Sequence, residues 1–95
     1  MRITDIVWKE DIVDKFLSKH GVSVAEAEEA LVSRPVVRKM AKGRVRGEDV
    51  YAALAQIGNG RYLVVFFIHK KRGIALPISA RDMDLAERKY YARNR

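Results

Sequence analysis

The longest apolar run in the chain is Tyr62-Leu63-Val64-Val65-Phe66-Phe67-Ile68. A strand with one wet face alternates apolar and polar residues. A continuous run rich in β-branched and aromatic types predicts a strand buried on both faces. Lys70-Lys71-Arg72-Gly73 predicts the turn that follows, because glycine takes positive φ without strain. The return arm reads Ile74-Ala75-Leu76-Pro77-Ile78-Ser79-Ala80. Pro77 has no N–H for a ladder, so this arm has a free edge or a bulge there.

Upstream, Ile3 to Trp8 predicts a short strand. A helix from Glu10 to Lys19 follows, with Ile12, Val13, Phe16 and Leu17 along one face. Glu10 and Asp11 open it, Lys19 and His20 close it, and Gly21 is its expected C-terminal cap. Ser23-Val24-Ala25-Glu26 is a capping box for a second helix, which runs to Val32 and ends before Pro35. Its buried stripe is Val24, Ala27, Ala30 and Leu31, with Glu26, Glu28 and Glu29 facing water. Val36 to Met40 and Val50 to Ile57 predict strands, joined through the basic loop Lys42-Gly43-Arg44-Val45-Arg46-Gly47. Gly58-Asn59-Gly60 turns the chain into the long run. Asp84-Leu85-Ala86-Glu87 is a second capping box, opening a last helix from Leu85 to Ala92. Consecutive strands with tight turns predict an antiparallel meander. With two helices before it and one after it, the fold class is α+β, in two layers.

Ninety-five residues make one domain spanning 1–95, and 48% hydrophobic residues exclude a disordered chain. There is no cysteine, and His20 and His69 are too few to argue for zinc. No cofactor or metal is expected. The longest apolar run is too short to cross a bilayer, and the first residues do not read as a signal peptide. The expected location is the cytoplasm. A net charge of +7, with basic residues clustered in loops and at one end, points to a polyanionic partner such as RNA.

Three blocks carry a resemblance. Trp8 with Lys19-His20-Gly21-Val22-Ser23 and Glu26-Ala27 is similar to the N-terminal signature of the BrnT-type toxin family. Gly60-Arg61-Tyr62-Leu63-Val64-Val65 resembles its central strand. Ile78-Ser79-Ala80-Arg81, followed by Glu87-Arg88 and Tyr91, resembles its C-terminal signature. The resemblance implies a RelE-like α+β fold and the toxin of a type II toxin–antitoxin pair, acting as a metal-independent ribonuclease. It also implies a cognate antitoxin, of ribbon-helix-helix type, that masks the toxin and represses the shared operon. A homodimer is open. The family usually carries an Asp after the tryptophan, and a Lys and an Asn on the first helix. Here Lys9, Ile12 and Phe16 stand there. Val50 and Leu76 occupy positions where the family often has arginine. Those departures keep a second reading in play, a RelE-like binding module without catalysis.

Metal-free RNA cleavage needs a base near the 2′-OH, an acid near the leaving 5′ oxygen and cations on the phosphate. Arg81, just past a strand end and near a helix start, is the first candidate for phosphate; its structural alternative is a salt bridge to Glu87 or Asp84. His20 can titrate near neutrality, although a histidine in a last helical turn also stabilises that helix by charge. Glu87 is a candidate base that doubles as a capping residue. Tyr91 can donate a proton or stack on a base, or pack the last helix. Lys19, Arg61, Lys42, Arg44 and Arg46 are candidate RNA-binding cations. Trp8 is expected in the core and His69 in a turn.

Overall fold

The computed structural model describes residues 2–41 and 48–95. Lys42, Arg44 and Arg46 lie outside the described residues, with the loop that holds them. The elements in order are β1 (Asp5–Ile6), α1 (Glu10–His20), α2 (Val24–Val32), β2 (Val36–Ala41), β3 (Val50–Gln56), β4 (Tyr62–Lys70), β5 (Ile74–Asp82) and α3 (Leu85–Asn94). The fold class is α+β, as expected.

The sheet order is β1-β5-β4-β3-β2. Strands β2 to β5 form the expected antiparallel meander. The sheet as a whole is mixed, because β1 pairs with β5 in parallel. The expected strand from Ile3 to Trp8 shrinks to two residues. The Val7 N–H still reaches Ala75 O at 3.0 Å, but two residues on, Pro77 has no N–H to return. Pro77 also marks a bulge, as expected: Phe66 opposes Ser79 and Phe67 opposes Pro77, leaving Ile78 without a partner.

The layer count differs from expectation. Successive residues of β4 point to opposite faces. Leu63, Val65 and Phe67 join Phe16, Val22, Ala27, Ala30 and Leu31 in a core beneath α1 and α2. Val64 joins Ala52, Leu54 and Met83 in a second, smaller core flanked by Tyr62, Phe66, Tyr90 and Tyr91 of the sheet and α3. The domain therefore has three layers, with α1 and α2 on one face and α3 on the other. The uninterrupted apolar run of β4 is the direct cause, since both faces are covered.

Both capping boxes form, at Ser23 with Glu26 and at Asp84 with Glu87. Gly21 closes α1 at φ 67°, the left-handed region that glycine enters freely. Lys9 occupies the N-cap of α1 without a side-chain cap bond. Half of the predicted α1 stripe faces solvent: Val13 is 40% and Leu17 60% exposed, while Phe16 is buried. Trp8 is half-buried against Phe16 and donates Nε1–H to Glu28. His69 lies in β4, not in a turn, between Tyr51 and Phe67. Among the described residues, no helix is long and apolar enough to cross a membrane.

Candidate nucleic-acid interface

Sheet register decides which side chains share the α3 face. Val36, Leu54, Val64 and Arg81 form one row across β2, β3, β4 and β5. Arg38, Ala52, Phe66 and Ser79 form the next. Leu54 and Val64 belong to the core under α3, so Arg81 and Arg38 point to that same face. A third row holds Val50, Ile68 and Leu76. Two of the family's usual arginine positions, Val50 and Leu76, therefore share one apolar row on either side of Ile68. Ile12 and Phe16, the other apolar departures, belong instead to the core on the opposite face.

Arg81 ends β5 where the chain turns into α3. Its guanidinium makes a bidentate pair with Glu87, Nη1 to Oε1 at 2.6 Å and Nη2 to Oε2 at 2.9 Å. It also lies over the Phe66 ring, 5.5 Å from the centroid. Glu87 is held twice more, because its carboxylate accepts from the Asp84 N–H at 2.9 Å while the Asp84 side chain accepts from the Glu87 N–H. The Glu87 carboxylate raises the Arg81 pKa above its ordinary value, so the cation stays charged. The Arg81 side chain is half exposed, at 48%, whereas that of Glu87 is mostly covered, at 15%. A ligand can reach the cation from solvent.

Tyr91 follows Glu87 by one helical turn on the same side of α3. Its ring meets Tyr62 edge-on at 6.2 Å, and its hydroxyl accepts from the Gln56 N–H at 3.3 Å. That leaves its own hydrogen to donate. The structure thus brings three of the predicted catalytic residues, Arg81, Glu87 and Tyr91, to one face.

Around them stands a set of cations that local sequence patterns do not single out. Arg88 lies 4.0 Å from the Tyr62 ring centroid, Arg38 4.5 Å from that of Tyr90, and Arg95 5.7 Å from that of Tyr91. These arginines are exposed, and none has a carboxylate partner among the described residues. Tyr62, Arg88, Tyr91 and Arg95 line a shallow groove of about 430 Å³ beside α3. Residues in β2 and α3 meet only through tertiary packing, so Arg38 has no local signature. In the sequence Arg88 stands out only within the C-terminal signature block, and Arg95 only as part of a basic C-terminal stretch.

The remaining candidates stand across the sheet. Arg61 is not a solvated cation. It bridges Asp82 at 3.1 Å, Glu26 at 3.0 Å and the Gly21 carbonyl at 3.2 Å. Asp82 and Glu26 raise its pKa, in that order. Glu26 in turn does not simply face water. Its pKa falls to about 2, first through the backbone N–H of Ser23, with Asn59 and Arg61 adding to it. Glu29 likewise accepts from the Gly58 N–H at 2.5 Å, and Glu28 from Trp8. These acids tie α2 to the β3–β4 turn and to the stretch before α1. His20 packs edge-on against Phe16 at 5.0 Å, in a cavity with Ile12, Lys15, Lys19 and Ile78. Burial, and then Lys19, lower its pKa. The sheet separates His20, Lys19 and Arg61 from the Arg81 group.

A compact α+β domain with a buried central strand and an arginine-rich face is the class that fold and site define. The family described as "Ribonuclease toxin, BrnT, of type II toxin-antitoxin system" matches residues 8–87. The chain belongs to this family of BrnT ribonuclease toxins, and membership implies an antitoxin partner. The chain is also similar to the crystal structure of the Brucella abortus ribonuclease toxin BrnT. That match has a TM-score of 0.59 at 19% identity and covers 85% of this chain and 97% of the other. At that identity the likeness establishes the fold. No curated protein matches the chain.

Proposed function

We propose that this toxin cleaves RNA without a metal ion, on its α3 face. The bidentate Arg81–Glu87 pair at 2.6 and 2.9 Å is the observation that carries the reading. It places an exposed cation and a carboxylate in contact, on a member of a family of ribonuclease toxins. A phosphate arriving at Arg81 competes with Glu87 for the guanidinium. The displaced carboxylate then stands beside the phosphate as a base. It takes the proton of the 2′-OH, the 2′ oxygen attacks phosphorus, and the P–O5′ bond breaks. Tyr91 donates its hydroxyl proton to the leaving 5′ oxygen. The products are a 2′,3′-cyclic phosphate and a 5′-hydroxyl end. Arg81 offsets charge building on the phosphorane.

The experiment is incubation of the purified protein with single-stranded RNA, with and without EDTA. Cutting should persist in EDTA and be lost in Arg81→Ala. Glu87→Gln is the sharper variant, because glutamine still completes a capping box. It should lower kcat by about 10²–10⁴, the usual range for a general base. Full activity in Glu87→Gln would remove the base from this scheme.

The apolar row Val50, Ile68 and Leu76 favours a second reading, in which the same face binds without cutting. RNA binding with no detectable product at micromolar protein would select it. In either case the partner antitoxin, for which a ribbon-helix-helix protein is proposed, acts by covering the arginines of this face.

A further inference from the structure

We propose that the arginines resting on tyrosines beside Arg81 form a stacking track for single-stranded RNA, flanking the phosphate that Arg81 holds. The proposal rests on the RNA reading above and extends it to residues that reading does not use: Arg38, Tyr90, Arg88, Tyr62 and Arg95. Val64, the register partner of Arg81, lies between Tyr62 and Phe66 on β4. Arg88, over Tyr62, and Arg38, in the Phe66 row, therefore fall on opposite sides of the row that holds Arg81.

Each part of this arrangement suits unpaired nucleotides. A guanidinium resting on a ring is already ordered, so less side-chain freedom is lost when a ligand binds. Its outer surface can stack on a base, and its N–H edge can meet a phosphate. The groove lined by Tyr62, Arg88, Tyr91 and Arg95 gives a base a place beside the helix. Charge agrees: α3 carries Arg88, Lys89 and Arg93 against Glu87 alone, Arg95 follows it directly, and Glu87 is engaged by Arg81. A duplex hides its base faces, and an acidic peptide has no need of the rings. Stacking reads no base edge, so the track should accept many sequences.

The test uses a fluorescent 2′-O-methyl oligouridylate, which lacks the hydroxyl that cleavage requires, and follows binding to the intact protein by anisotropy. Arg38→Ala and Arg88→Ala should each weaken binding about fivefold or more, in line with loss of one stacked base. Each should reduce the slope of log Kd against log salt by about 1. Arg88→Lys keeps the charge but not the plane, and should recover the slope without the affinity. Duplex RNA and oligoglutamate should compete poorly. An unchanged Kd in the Arg38→Ala, Arg88→Ala double variant would overturn the track, as would oligoglutamate competing as well as the RNA. Cleavage that depends on Arg81 beside an unchanged Kd in that double variant removes the track and keeps the nuclease. Track-dependent binding with no cleavage of ordinary RNA does the reverse.

Discussion

Glu26 closes the start of α2 and clamps the β3–β4 turn through Arg61 and Asn59. Its carboxyl titrates near 2 in the folded chain, against 4.5 as the ordinary value. A depressed carboxyl pKa adds stability that is present above the ordinary value and lost as pH falls toward the folded one. Urea unfolding should therefore show a loss of stability between about pH 5 and about pH 2, smaller in Glu26→Gln. Equal losses in the two proteins would mean that other carboxyls set the acid limb. Arg61 teaches a related point. At the start of a strand, between Gly60 and Tyr62, it looks available for phosphate. Its carboxylate partner Glu26 lies 35 residues away, and no local pattern announces that contact. Arg81 is the opposite case. Glu87 is only six residues on, so the pair was among the alternatives that the sequence offers.

At the scale of elements, β4 organises the rest. Val65 and Phe67 have no exposed surface and sit in the main core. Val65→Ala and Phe67→Ala should each destabilise by about 2–5 kcal/mol through lost burial and the cavity left behind. Chemical denaturation measures this; a change below about 0.5 kcal/mol, the level of an ordinary surface substitution, would contradict the packing. Helix ends were legible because caps are local: Ser23, Gly21 and Asp84 all stand where the pattern puts them. The side of the sheet taken by α3 was not. Its apolar residues form no clean stripe, and what it buries is largely tyrosine. The continuous run in β4 was the better guide, since it requires cover on both faces. The parallel pairing of β1 was hidden for another reason: two residues carry too little pattern to reveal a partner.

For the whole molecule, the +7 charge has a location as well as a size. Three arginines without carboxylate partners among the described residues stand on the α3 face, and Arg81 shares its charge with one acid. RNA binding should weaken steeply with salt, because each neutralised phosphate releases condensed counterions. Antitoxin binding should fall less, since apolar contacts are not screened. Paired salt titrations of one protein preparation, with RNA and with the antitoxin, compare the two. A flat RNA titration between low and physiological salt would make the charge a matter of solubility alone.

The β1 pairing has a consequence in time. Asp5 and Ile6 are translated long before their partners Ile74 and Ala75. Until that hairpin leaves the ribosome, the first strand has nowhere to dock. The Thr4 hydroxyl, which donates to Arg72 O at 2.5 Å, waits for the same turn. Gly73 leaves this junction no spare room: a Cβ there would stand 2.7 Å from Thr4 Oγ1 and 2.8 Å from Arg2 O. The sheet is thus sewn shut at a seam whose two sides are made well over half the chain apart, and a docked β1 marks a toxin whose central hairpin is already complete.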